Sequence, residues 1–434
     1  MVSESTDIPR ESRGKFLATA DEIGRDVCSQ AIWHQDRCNW IGATPEEGAG
    51  GIVVDSYASL SGDLYGGTSG VAIFLAHLHR ATGDVTARDT ALGAMRQALA
   101  RADETLPPVN RGLYGGRAGL ALAAAWVGRL LGHDWLVQCA PRLLDGVRSV
   151  TVTAPRESDL ITGAAGGLVG CLLVSDLAGV GRLMDRAVEL GDELLDSARK
   201  SESGWSWSSP TVPTSADLTG FSHGAAGVGY ALLELHRVTD DARYLEGAEQ
   251  AFNYERGLFD PVAGNWPDLR QPRADWGVPG GPTYASFWCH GAPGIGLSRL
   301  RALEMLGAGN YRSEAEAALE TTRRSVAVEI ESAAANYSIC HGLAGNAEVL
   351  LFGEHVLGAH GSEGARLAMR VADLGIRTYP ERGLPWPCGT HGGESPNLFL
   401  GLAGIGFFYL RLLDPTIPSV LIPSAEAFQT LAAG

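Results

Sequence analysis

The chain has 434 residues, of which 45% are hydrophobic, so it is long enough to bury a large core. Its net charge of −16 argues against general electrostatic binding of nucleic acid, because phosphates would be repelled over most of the surface. No apolar run resembles a membrane span, and the N-terminus lacks a signal-peptide pattern. Seven cysteines are an odd number for a disulfide framework, so we expect a cytoplasmic protein.

A Gly-x-x-Gly element recurs along the chain at intervals of 47 to 67 residues. The first glycines of the seven copies are Gly67, Gly116, Gly163, Gly224, Gly291, Gly342 and Gly401. Apolar stretches follow the copies, as in residues 71–76 and 405–410, and each predicts a buried inner helix. Amphipathic, charged segments alternate with these stretches and predict outer helices: Lys15 to His34, Asp84 to Glu104, Asp134 to Val150, Val180 to Lys200, Asp241 to Glu255, Tyr311 to Glu331 and Gly364 to Tyr379.

Seven inner and seven outer helices in alternation predict an all-α fold, an α/α toroid. In this double-layered barrel each inner helix needs an outer helix to cover its back. We expect a single domain over residues 1–434, with residues 1–13 as a flexible N-terminal tail. No alternating strand pattern competes strongly with the helical pattern.

The residues just before the first glycines carry the polar chemistry of the repeat. They are Cys289 and His290 in the fifth copy, Cys340 and His341 in the sixth, and His223 follows a serine in the fourth. Because a repeat array sets equivalent positions of consecutive units side by side, the two Cys-His pairs are predicted to be neighbours. Thiolate and imidazole together favour Zn²⁺ over Mg²⁺ or Ca²⁺. The pattern therefore predicts a zinc site.

Two forms of this site remain open. If both histidines join the two cysteines, the zinc is closed and structural; if one does, a coordination position remains for substrate. Burial at tight turns without a metal is the further alternative, since free cysteine is among the most buried residue types. The longer connections Thr211 to Leu218 and Gly257 to Tyr284 precede the fourth and fifth copies and are expected to wall a substrate cleft.

The motifs around these residues resemble those of the lanthionine synthetase C family, the cyclases of lanthipeptide biosynthesis. They are most similar to the C-terminal cyclase region of class II synthetases. The resemblance spans nearly the whole chain and lies in Cys38-Asn39-Trp40-Ile41-Gly42, Asp63-Leu64-Tyr65-Gly66-Gly67, Gly220-Phe221-Ser222-His223-Gly224, Trp288-Cys289-His290-Gly291, Cys340-His341-Gly342 and the tail Pro418-Ser419-Val420-Leu421. It implies an α/α toroid with one catalytic zinc. The implied reaction is intramolecular Michael addition of peptide cysteine thiols to dehydroalanine or dehydrobutyrine.

The resemblance also implies roles for single residues. Cys289, Cys340 and His341 would be the zinc ligands. His223 would be the acid that protonates the α-carbon, and Asp159 would orient it, although ordinary helix capping is the alternative for both residues. His290 stands where some family members carry tyrosine; we expect it to contact the substrate thiol, with assistance of proton transfer or an idle position beside the metal as the alternatives.

The chain begins almost at the cyclase region, so we expect a separate dehydratase, or a kinase and lyase pair, to supply a dehydrated precursor peptide. Ala285 stands where some stand-alone cyclases carry an arginine, which puts the stabilisation of the enolate in question. Two other functions stay open: addition of a small thiol such as glutathione to dehydroamino acids, and a non-catalytic zinc scaffold that binds a modified peptide. A zinc-dependent prenyltransferase toroid would need a basic diphosphate cluster that this acidic chain does not suggest.

Overall fold

The computed structural model describes residues 10–47, 53–145, 147, 156–212, 214, 216–270, 282–332, 335–358, 362–389 and 394–432. The elements in chain order are α1 (Arg10–Ser29), β1 (Ile32–His34), β2 (Arg37–Asn39), β3 (Ile41–Glu47), β4 (Val53–Ser59), α2 (Thr68–Thr82), α3 (Val85–Ala100), α4 (Ala102–Thr105), α5 (Arg117–Leu131), α6 (Asp134–Leu144), α7 (Ala164–Ala178), α8 (Arg182–Ser197), β5 (Arg199–Ser201), β6 (Gly204–Ser206), α9 (Ala225–Thr239), α10 (Ala242–Arg256), α11 (Ala292–Leu306), α12 (Gly309–Glu329), α13 (Leu343–Leu357), α14 (Glu363–Thr378), α15 (Leu402–Leu413) and α16 (Ala425–Ala432).

The helices close into a two-layered ring. The inner helices α2, α5, α7, α9, α11, α13 and α15 pack on one another in this order, and α15 packs on α2 to complete the circle. Outer helices α3, α6, α8, α10, α12 and α14 each cover the inner helix that precedes them, and α1 covers α15. The predicted α/α toroid of seven inner and seven outer helices is confirmed.

The burial of each layer follows from its sequence pattern. Helix α7 is buried along almost its whole length, whereas α8 buries one stripe that includes Leu183, Ala187, Leu190 and Leu194. Spacings of three and four residues keep such side chains on one face of a helix, with charged residues on the other face. The difference between the layers therefore reflects apolar periodicity.

The second glycine of each element is required by close packing. Gly294 lies against the carbonyl oxygen of Trp288, and Gly345 lies in the same way against that of Ile339. A Cβ atom at either position would overlap the carbonyl oxygen. The start of each inner helix is thereby pressed onto the loop that leads into it.

Backbone hydrogen bonds join these leading loops around the ring. In each bond a backbone amide donates to a backbone carbonyl. The pairs, with the donor first, are Tyr65–Tyr114, Leu113–Leu160, Leu160–Ser222, Ser222–Cys289, Trp288–Cys340, Cys340–Phe399 and Phe399–Tyr65. Each donor and its acceptor belong to consecutive copies, and the last bond joins the seventh copy to the first. Residues that share a sequence column are therefore neighbours at one end of the barrel.

The C-terminal segment lies against the inner ring. Its carbonyl groups at Val420 and Leu421 accept hydrogen bonds from the Tyr114 hydroxyl at 3.0 Å and from Trp288 Nε1 at 2.9 Å. Farther along, α16 packs on α5 and α7, and Phe428 meets Trp126 edge to face at 4.7 Å. Because Trp288 precedes Cys289, the tail supports the loop that carries the predicted zinc ligand.

Several boundaries differ from the sequence prediction. Helix α1 begins at Arg10, so residues 10–13 are helical and the expected tail over 1–13 is corrected there; residues 1–9 lie outside the described part. His34, predicted as helix, belongs to a strand, and Val150 lies outside the described residues. Among the helices that the structure describes, none is both long and apolar enough to cross a membrane.

Three antiparallel hairpins were not expected: β1 with β2, β3 with β4, and β5 with β6. Two of them have strands of only three residues, too short for a clear alternation of apolar and polar residues. In the first hairpin the turn is made by Gln35, which has a φ of +56°, a conformation that its residue type does not signal.

Candidate metal centre

Two sulfurs and one imidazole meet where α11 and α13 begin. The ligand atoms of Cys289, Cys340 and His341 all lie within 4.8 Å of one another. The backbone amide of Trp288 donates to the carbonyl of Cys340 at 3.0 Å, which fixes the two loops side by side. Closure of the ring thus brings Cys289 next to Cys340 and His341, which lie about fifty residues farther along the chain.

The two sulfurs perturb each other strongly. A hydrogen bond from the Cys340 thiol, helped by His341 and opposed by burial, holds the pKa of Cys289 well below its usual value. Burial and the neighbouring Cys289 raise the pKa of Cys340 well above its usual value. Two contacting thiols, one of which readily loses its proton, suit a cation better than an apolar core. With the imidazole of His341 beside them, this donor set fits Zn²⁺.

His290 lies apart from this group. Its ring stacks on that of His223, with centroids 5.9 Å apart and planes 26° from parallel. Burial lowers its pKa to about 4, which keeps the imidazole neutral at ordinary pH. Within the described residues, the group that could hold a metal ion here therefore has three members, and of the two predicted forms this geometry favours the one with an open fourth position.

The two Cys-His copies differ because their backbones differ. Gly291 has a φ of +86°, in the region that favours glycine, whereas Gly342 is extended with a φ of −134°. The amide of Phe287 also donates to the carbonyl of His290 at 3.0 Å, so the fifth loop turns back on itself. The two histidines, although equivalent in sequence, consequently end in different places.

His223 and Asp159 form a hydrogen-bonded pair beside the cluster. His223 Nδ1 lies 2.6 Å from Asp159 Oδ2, and their side chains are 25% and 3% exposed. Burial lowers the pKa of His223, but the hydrogen bond and charge of Asp159, with smaller effects of Cys289 and Glu157, raise it overall. The imidazole is thus held in one orientation and keeps its proton above its ordinary pKa.

Asp159 also holds the loop that leads into α7. Its Oδ1 accepts hydrogen bonds from the amides of Thr162 and Gly163, both at 2.8 Å, just before the helix begins. One oxygen of this carboxylate therefore contacts His223, and the other fixes the backbone that precedes α7. Asp63, in the same register of the first copy, accepts from the Gly66 amide at 2.6 Å and from the Ser61 hydroxyl instead.

Two side chains near the sulfurs were missed from the sequence. The Tyr65 hydroxyl hydrogen-bonds to the sulfur of Cys340, and burial raises the pKa of this phenol well above its usual value. Tyr65 occupies the same column as both cysteines, so the register contained the signal. Arg270, from the long segment before the fifth copy, interacts electrostatically with both sulfurs, and no motif in the sequence marks it.

Aromatic rings form a floor under the cluster. Tyr65 stacks on Phe399 at 4.8 Å, and Trp288 packs against Phe399 and edge to face on Tyr114, each at 4.9 Å. Trp288 and Tyr114 are fully buried. This floor excludes water from one side of the site and strengthens the interactions of charges within it.

Fold and site together define a lanthipeptide cyclase-like toroid with a thiol and imidazole cluster at the mouth of its inner ring. The structure is similar to that of nisin cyclase, with a TM-score of 0.61 and 16% sequence identity. The match covers 98% of this chain and 99% of the nisin cyclase chain. Residues 58–426 match the family of lanthionine synthetase C-like proteins, and the chain belongs to that family.

Two relatives connect the chain to different reactions by name. Glutathione S-transferase LANCL1 of Danio rerio is 26% identical over 368 residues, which cover 81% of this chain and 82% of that protein. The lacticin 481/lactococcin biosynthesis protein LcnDR2 of Lactococcus lactis subsp. lactis is 23% identical over 198 residues, or 45% of this chain and 18% of that much longer protein.

Proposed function

We propose that this protein is a zinc-dependent lanthipeptide cyclase. It would join cysteine thiols of a dehydrated precursor peptide to dehydroalanine or dehydrobutyrine in the same peptide. The observation that carries the proposal is the position of the His223–Asp159 pair beside a three-donor cluster of Cys289, Cys340 and His341. A metal site with an open position and an adjacent proton donor is the equipment that thiol addition requires.

Cys289, Cys340 and His341 would hold the zinc ion, which supplies a thiolate at neutral pH by lowering the pKa of the incoming thiol. The thiolate sulfur attacks the β-carbon, and the new S–C bond forms as the π electron pair moves to give an enolate. A proton then adds to the α-carbon as the carbonyl re-forms. The thiol has released one proton and the product has gained one, so the addition needs no oxidant or reductant.

His223 would deliver that proton. Its Nδ1 is committed to Asp159, so Nε2 is the nitrogen available to the reacting carbon. Asp159 raises the pKa of His223 against the effect of burial, which keeps the acid form populated near neutral pH. The stacked ring of His290 fixes the other side of the imidazole and would contact the substrate.

Addition of glutathione is the second candidate, and the name of the Danio rerio relative favours it. Glutathione carries two carboxylates that need cationic partners. The described groups whose charges act on the His223 and His290 pair include three carboxyl groups, Glu157, Asp159 and Asp268, against one guanidinium, that of Arg270. This electrostatic environment favours a peptide thiol over a dianionic one.

The reaction consumes dehydroamino acids, so we propose that a separate dehydratase, or a kinase and lyase pair, supplies the dehydrated precursor. The match to part of a lacticin 481/lactococcin biosynthesis protein supports a peptide as the substrate. All seven cysteines are free in the structure, which supports the proposal of a reducing, cytoplasmic setting.

The direct test is incubation of the zinc-loaded protein with a dehydrated peptide that contains one cysteine, with and without a chelator. Ring closure leaves the peptide mass unchanged, so it is scored as loss of alkylatable thiol by mass spectrometry. Glutathione in a parallel reaction would add its own mass to the peptide if the second candidate were right. Peptide binding without either product would indicate a non-catalytic scaffold and would refute the proposal.

A variant with His223 replaced by alanine separates catalysis from metal binding. We expect ring closure to fall by about 100-fold or more, the usual contribution of general acid catalysis, with zinc content unchanged. Unchanged ring closure would remove His223 from the mechanism. His236→Ala is the matched control and should leave activity intact. His236 lies on α9, the helix that follows His223, and its ring contacts the backbone carbonyl of Asp241.

A further inference from the structure

The reaction builds negative charge on the carbonyl oxygen of the acceptor residue, and Ala285 offers no cation to balance it. Resting on the cyclase function proposed above, we propose that Arg270 is a further catalytic residue whose guanidinium binds this oxygen and stabilises the enolate. A cation preorganised at a developing charge is usually the largest single contribution that a side chain makes to such a step.

Arg270 is held by a close ion pair. Its Nε lies 2.9 Å from Asp268 Oδ1 and its Nη2 lies 2.5 Å from Oδ2, and its backbone amide donates to Oδ1 at 3.1 Å. The Asp268 side chain is 5% exposed and the Arg270 side chain 29% exposed. The carboxylate is therefore buried as an anchor, while the arginine side chain remains partly exposed.

The pair stands on two joined segments at the mouth of the barrel. Arg270 forms a backbone bridge with Thr214, and Asp268 forms one with Thr283. The Thr219 hydroxyl donates to the carbonyl of Pro267 at 2.8 Å. The connections that precede the fourth and fifth copies are thus tied together where the pair lies. Residues 213, 215 and 271–281 of these connections lie outside the described part.

A series of contacts links the Asp268–Arg270 pair to the loop of the metal cluster. Gly220, which follows Thr219, packs closely on the loop of Cys289 and His290. A Cβ atom on Gly220 would lie 2.9 Å from the Cys289 carbonyl oxygen and 3.4 Å from His290 Nδ1. Pro267, which touches Thr219, directly precedes Asp268. The ion pair is therefore adjacent to the loop that holds Cys289, on the same end of the barrel as the proton donor.

The charge distribution agrees with this placement. Burial lowers the pKa of Arg270, but Asp268 and then the sulfurs of Cys289 and Cys340 raise it overall. The guanidinium thus stays charged and within electrostatic reach of both sulfurs.

Three variants test the role. In Arg270→Met we expect kcat for ring closure to fall by about 100-fold, with zinc content unchanged and a smaller change in KM, because the charge develops mainly in the transition state. Arg270→Lys should retain more activity than the methionine variant, since the charge is kept. Added methylguanidine should restore part of the activity of Arg270→Ala and leave the wild-type rate unchanged.

Arg199→Gln is the matched control. Arg199 lies on the exposed strand β5 and, like Arg270, forms an ion pair with an aspartate, here Asp217 at 2.8 Å. It should keep the wild-type kcat. Equal kcat values for wild type and Arg270→Met, equal losses in the methionine and lysine variants, or absence of rescue by methylguanidine would each overturn the role. A wild-type protein that forms no thioether refutes the cyclase function, and the role of Arg270 falls with it. Wild-type ring closure with an unaffected methionine variant refutes the role of Arg270 alone.

Discussion

Replacement of Asp159 by asparagine separates the two functions that this carboxylate performs. Asparagine keeps an oxygen that can accept the hydrogen bonds from the amides of Thr162 and Gly163, but it removes the charge next to His223. The pKa of His223 should then fall, because burial of the imidazole is no longer opposed by the carboxylate. The fold should be retained while the acid is lost.

The size of the effect follows from the lost interaction. A hydrogen bond to a charged group contributes about 1.5–3 kcal/mol, and about 1.4 kcal/mol corresponds to a tenfold change in rate. We therefore expect ring closure near neutral pH to slow by about 10- to 100-fold in Asp159→Asn. Asp159→Ala should slow it similarly and also cost about 1 kcal/mol of stability, since the hydrogen bonds to the amides of Thr162 and Gly163 are lost as well.

The pH dependence of ring closure provides the sharper measurement. The rate should fall as the pH rises through the pKa of His223, because only the protonated imidazole can deliver a proton. In Asp159→Asn this fall should move to lower pH. The charged and titratable groups that act on His223 are Asp159, Cys289, Glu157 and His290, so a shift in the same direction for Glu157→Gln should be smaller. An unshifted alkaline limb in Asp159→Asn would refute the assignment of His223 as the acid.

Three further predictions concern the metal and the fold. His341→Ala should lower zinc below about one per chain by elemental mass spectrometry, whereas His290→Ala should retain it; equal loss in both would contradict the three-donor site. Arg299→Met should destabilise the protein by about 3–5 kcal/mol in urea unfolding, because the arginine and its partner Glu255 are both fully buried; a change within about 0.5 kcal/mol would disprove this. Gly345→Ala should prevent normal folding or cost more than about 4 kcal/mol, since a Cβ overlaps a carbonyl oxygen, whereas Gly309→Ala, with open space around it, should be nearly neutral in the same unfolding measurement.

The number and order of the helices could be predicted because their signals are local. Each inner helix begins directly after the first glycine of its copy, as at Gly116 and Gly401, and its apolar run ensures its burial. The outer helices follow from amphipathic periodicity in the same way, with end points that shift by a few residues. The two hairpins with three-residue strands were not predicted, because such short strands show no clear alternation of apolar and polar residues.

The site divides along a similar line. The grouping of Cys289, Cys340 and His341 follows from the repeat register, because the ring sets one column of residues side by side. The separation of His290 from that group does not, since it depends on the positive φ of Gly291 and on stacking with His223.

The sequence alone therefore determined the toroid and the column of residues that meets at its mouth, since apolar periodicity and repeat spacing are properties of neighbouring residues. Tertiary structure alone decided which histidine faces the sulfurs, that Tyr65 reaches Cys340, and that Arg270 enters from a distant segment. These contacts depend on how loops fold over the ring. Such paths are set by long-range packing and hydrogen bonds, which no local pattern encodes.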